Sequence, residues 1–63
     1  MKTTDRRTYW KGYRALKRLA LDYWSAEKAF NEIYQSNTSD KFVAGARRAY
    51  RYIKRVGLAN ITL

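Results

Sequence analysis

KFVAGARRAYRYIKRVG, residues 41–57, separates into two faces when wound at about 100° per residue. Phe42, Ala46, Ala49, Ile53 and Val56 fall on one side, flanked by Val43 and Tyr50. Arg47, Arg48, Arg51, Lys54 and Arg55 fall on the other, and no acid interrupts them. The apolar side needs something to dock against. The cationic strip repels itself unless a negative partner lies on it. A strip of this kind points to a polyanion, nucleic acid above all. Solubility alone is the bland alternative, but five like charges on one arc exceed what solubility needs.

Upstream, residues 5–34 keep a helical period. Tyr9, Tyr13, Leu16, Leu19, Ala20, Tyr23, Ala26, Phe30 and Ile33 share a face. Thr4 is the expected N-cap, with Asp5 in the first turn suiting the macrodipole. Arg18–Asp22 and Lys28–Glu32 are spaced as i,i+4 ion pairs, each worth a few tenths of a kcal/mol. Gly12 weakens the helix by about 1 kcal/mol relative to Ala, so the first two turns are expected to fray or kink. Gln35-Ser36-Asn37-Thr38-Ser39 breaks the pattern with turn and cap residues. Thr38 or Ser39 caps the next helix, Gly57 ends it, and Leu58 makes the closing apolar contact. In the tail, Ile61 and Leu63 alternate like a strand.

The predicted architecture is all-α: an antiparallel two-helix hairpin of helix 5–34, turn 35–39 and helix 40–56, with a short C-terminal tail. Folding back places Phe30 near Val43, Tyr23 near Tyr50, and Leu19 and Ala20 near Ile53. Ala44, Gly45, Ala46 and Ala49 allow a close approach. The first helix, being the longer at about 1.5 Å per residue, overhangs the second by several turns. Sixty-three residues make one domain with a thin core. Without Cys or His there are no disulfides and no usual zinc or iron ligands, so neither metal nor cofactor is expected. Support must then come from a partner, and a homodimer completing a helical bundle is expected. No long apolar run or leader-like h-region occurs, so neither a transmembrane span nor a signal peptide is expected, and the cytoplasm (or a virion interior) is the expected location.

The net charge of +9 is unevenly placed. Residues 1–18 carry Lys2, Arg6, Arg7, Lys11, Arg14, Lys17 and Arg18 against Asp5. Residues 19–40 carry Lys28 against Asp22, Glu27, Glu32 and Asp40. Residues 41–63 carry Lys41 and the five cations of the strip, with no acid. In a hairpin the two basic segments meet at the open end, and Arg14, Lys17 and Arg18 join the strip there.

Ten of the 63 residues are aromatic. Tyr13, Tyr23, Phe30, Phe42 and Tyr50 are expected in the core. Trp10 and Trp24 lie off that face with Leu21 between them, edged by Arg14, Lys17 and Lys28. This second stripe reads as a self-association surface or a stacking platform for bases. Tyr52 borders the basic face and is placed to touch a sugar or phosphate.

Chemistry of the Ser–His or Cys–His kind is excluded by composition, and there is no Gly-rich phosphate loop. Catalysis is not expected. The expected function is nucleic-acid binding, DNA or RNA, mainly through phosphates. The alternative is a small accessory protein, such as a phage-encoded inhibitor, complex subunit or virion component, that binds a larger protein or ribonucleoprotein. In size, lack of Cys and His, and aromatic-plus-basic composition the chain resembles small phage-encoded accessory proteins in general.

Overall fold

The computed structural model describes residues 2–36 and 39–61, with side chains from Arg6 onward. Three α-helices, α1 (Lys2–Tyr23), α2 (Ala26–Ser36) and α3 (Asp40–Val56), are followed by one turn of 3-10 helix, Leu58–Asn60. No strand occurs among the described residues.

The expected two-helix hairpin is corrected to three helices, because residues 5–34 form two elements. At the break Trp24 takes φ 55°, in the left-handed region. The Ser25 N–H donates to the Ala20 carbonyl at 3.0 Å, closing the six-residue loop of a Schellman ending. Glycine is the usual residue there, and a tryptophan costs roughly 1–2 kcal/mol more. Ser25 then starts the next helix. Its Oγ accepts from the Lys28 N–H at 3.2 Å, and its carbonyl accepts from Ala29 N–H at 3.2 Å. Glu27 sits in the first turn, where the helix dipole favours it. The apolar positions stay in phase across this break, so periodicity alone does not reveal it.

At its other end α1 begins at Lys2, which puts Thr4 inside the helix rather than at its cap. Such ends vary by a residue or two. The α3 bounds agree with the expected ones. Ser39 is its N-cap, its side chain accepting from the Phe42 N–H at 3.3 Å. Thr38, the other expected cap, lies outside the described residues. Gln35 and Ser36, expected in the turn, extend α2. Gly57 ends α3 at φ 89° and ψ 148°, a conformation that glycine alone adopts freely. The 3-10 turn then returns Ile61 to the core, 8% exposed and with extended backbone; Leu63, the other residue of the expected alternation, lies outside the described residues.

The chain runs up, down and up. Helices α2 and α3 are antiparallel, since Glu27 meets Lys54 and Phe30 stacks on Tyr50 with ring centroids 5.3 Å apart. Phe30 therefore faces Tyr50 rather than Val43. Helices α1 and α3 run in the same general direction: Gly45 abuts Tyr9, and further along both helices Lys17 reaches Tyr52. The expected overhang does not exist, because α2 folds back and α3 lies alongside α1.

The core is built of small residues. Leu16 and Ala20 from α1, Ala26, Ala29 and Ile33 from α2, and Ala46, Ala49 and Ile53 from α3 are buried, with Ile61. Tyr13, Phe30, Phe42 and Tyr50 pack around this cluster, whereas Tyr23, expected in the core, is 44% exposed beside the break. The tightest contact is between backbones. A Cβ on Gly45 would lie 1.7 Å from the Tyr9 carbonyl oxygen, and one on Gly12 would lie 2.0 Å from that of Phe42. Gly12 is thus the counterpart of Gly45 at the crossing, and the helix runs through it unbroken.

Two substitutions test this fold with opposite signs to helix propensity. Gly45→Ala gains about 1 kcal/mol of propensity, yet the added methyl meets backbone that has no rotamer to move. We expect a net loss of about 2 kcal/mol or more in denaturant melts, as for overpacked cores. Ser25→Ala should cost about 1 kcal/mol through the lost cap; a continuous 5–34 helix would instead be stabilised by that change.

Candidate nucleic-acid interface

Because α1 and α3 touch at glycines, their larger residues stand as walls on one side of the contact. There they enclose an open groove of about 700 Å³. Helix α1 supplies Tyr9 and Tyr13. Helix α3 supplies Ala44, Arg48, Tyr52 and Arg55 at steps of three or four, with Arg47 and Arg51 on the rim side. Among the described residues no acid lines it. Lys17 stands at its edge, with Nζ 5.1 Å from the Tyr13 ring centroid and 5.9 Å from that of Tyr52. One cation thereby gathers rings from two helices. An exposed cation–π contact is worth about 0.5–1 kcal/mol, less than the roughly 1–3 kcal/mol of a stacked base.

A second depression, of about 450 Å³, lies on α1 and is lined by Arg6, Arg7, Trp10, Lys11 and Arg14. The two are joined by aromatic contacts. The Trp10 ring meets Tyr9 edge-on at 5.0 Å and Tyr13 at 5.1 Å.

Among the eight cations picked out by sequence, Arg47, Arg48, Arg51 and Arg55 line the groove, Lys17 borders it, and Arg14 lies in the second depression. Arg18 is exposed but lines neither. Lys54 faces the other way. Its Nζ donates to Glu27 Oε2 at 2.5 Å and lies 5.9 Å from the Tyr50 ring. This hydrogen bond is the main reason the Glu27 carboxyl is held below its usual 4.5 and the Lys54 ammonium above its usual 10.5. Arg47 is shared between sides, its guanidinium 5.8 Å from the Phe30 ring. Of the apolar candidates, Trp10 (44% exposed) and Tyr52 (37%) sit in the two depressions, Leu21 packs against the core, and Trp24 stands out at the α1–α2 break. The expected Trp10–Leu21–Trp24 stripe is therefore not one surface.

Sequence reasoning missed Arg6, Arg7 and Lys11, although their spacing with Trp10 and Arg14 already placed them on one helical arc. It also assigned Tyr9 and Tyr13 to the core face alone. Among the described residues no group of His, Cys, Asp or Glu is placed to hold a metal, and no helix is long and apolar enough to cross a membrane.

No family model matches the chain, and no curated protein or solved structure is similar to it.

Proposed function

We propose that this protein binds nucleic acid, without catalysis, through the groove between α1 and α3. Arg48, Arg51 and Arg55 are its main phosphate ligands, with Arg47 and Lys17 beside them. The observation that carries this reading is the groove itself: four arginines and three tyrosines converge on one recess that, among the described residues, no acid lines. Like charges gathered in this way raise the free protein's energy, and a polyanion relieves it. Arginine matches phosphate with a planar fork, and most protein contacts to nucleic acid go to the backbone. The absence of cysteine agrees with action in a reducing compartment such as the cytoplasm, or within a virion.

The test is a mobility shift at two or more salt concentrations. Replacing Arg48 and Arg51 together by Ala should weaken binding across all sequences and leave helicity unchanged. It should also reduce the salt slope by roughly 1.8 on duplex or 1.4 on single strands. An acidic protein could use the same arginines, and the accessory-protein reading then takes over. That reading does not require affinity for free DNA or RNA, and it takes the place of nucleic-acid binding if the parent shows no shift with either at low salt.

A homodimer is the second part of the proposal. Trp24, at 62% exposure, is the most exposed large apolar side chain among the described residues. Burying it against a second copy removes an apolar face from water and supports a core built mainly of alanine. Light scattering should give the mass of two chains, and Trp24→Ala the mass of one. A single-chain mass for the parent at high concentration rejects the dimer.

A further inference from the structure

We infer that the ligand is an unpaired strand, laid from the α1–α3 groove across α1 to Trp10, with bases on the rings and phosphates on the flanking arginines. This rests on the groove reading above and specifies which form of nucleic acid the groove takes.

The aromatic side chains decide between strand and duplex. In a duplex the base faces are hidden in the stack, and the outer surface is phosphate and sugar. Cations alone would serve such a ligand. Here rings are interleaved with the cations. Tyr52 and Tyr13 converge in the groove under Lys17. Tyr13 in turn touches Trp10, which lies among Arg6, Arg7 and Arg14 in the second depression. Rings therefore continue from one basic recess over α1 into the next. A positively charged track with stacking platforms along it is the arrangement that holds single strands.

Shape agrees. A helix that reads a duplex protrudes into the major groove. The α3 cations instead border a recess whose other wall is α1. Its volume of about 700 Å³ is large enough for nucleotides. The Tyr52 and Trp10 rings are 37% and 44% exposed, so both remain open to a base.

The test uses the full chain and fluorescence anisotropy at one fixed salt concentration. The probes are an oligo-dT, an oligo-U and a duplex, each of about 12 nucleotides per strand, within the range that such sites cover. At least one single strand should bind more tightly than the duplex, and the stronger of dT and U identifies the preferred sugar. Tyr52→Ala should lower single-strand affinity about tenfold, and Tyr52→Phe should retain it. Should alanine reduce helicity, Tyr52→Leu removes the ring while keeping apolar bulk, and the same loss is expected. In a Trp24→Phe background Trp10 is the only tryptophan, and its emission should change when the single strand binds. Equal affinity for strand and duplex, a Tyr52→Ala variant that binds strands like the parent, or an unchanged Trp10 signal overturns the inference and leaves the groove reading standing. Failure to bind any probe at low salt overturns both.

Discussion

The backbone contact between α1 and α3 is the constraint on which the rest depends. Gly12 and Gly45 let two main chains meet where any side chain would hold them apart. Around that point the core is mostly alanine, with Leu16 the one large side chain fully buried among the described residues. Alanine and glycine lose no side-chain entropy on burial, and backbone in close contact gains dispersion along its length. A chain without disulfides gains stability here from closeness rather than from bulk. The same closeness shapes the groove. With the helices pressed together, Tyr9 and Tyr13 come level with Arg48 and Tyr52 and form opposite walls.

Charge is sorted by element. Apart from Asp5 near the start of α1, the acids Asp22, Glu27, Glu32 and Asp40 lie at the end of α1, on α2 and at the start of α3. None reaches the groove or the depression around Trp10. Helix α2 serves as the counter-ion side of the molecule, where Glu27 takes Lys54 out of the cationic strip. Both partners are exposed, so that pair adds little to stability. Its consequence is directional, since it divides the α3 cations between a compensated side and an uncompensated one.

Helix α3 was legible because every signal for it is local. Ser39 and Gly57 mark its ends, and its two faces are cleanly divided. The break between α1 and α2 was not. Trp24 carries no propensity for the left-handed region, and the apolar phase runs through it unchanged. Ser25 before Ala26 and Glu27 was the available sign, and a lone serine is weak against thirty residues of regular period. Gly12 reads as a flaw in an isolated helix. Its value appears only when Phe42 is brought against it. The interface divides in the same way. The four groove arginines could be found from the face of one helix. The fate of Lys54 and the place of Tyr9 and Tyr13 depend on how the helices pair, which no single periodicity encodes.

The parallel sense of α1 and α3 also makes the molecule electrically uneven along its length. Both helices begin at one end, so the partial positive charges of their first turns lie together, and α2, running the other way, offsets only one of them. At that end Asp40 occupies the first turn of α3, where the field favours a carboxylate. At the opposite end Lys54 and Arg55 occupy the last turn of α3, where the carbonyls attract them. Each end of α3 thus carries the sign of charge that its own peptide dipoles favour, so side chains and backbone reinforce one another along this helix.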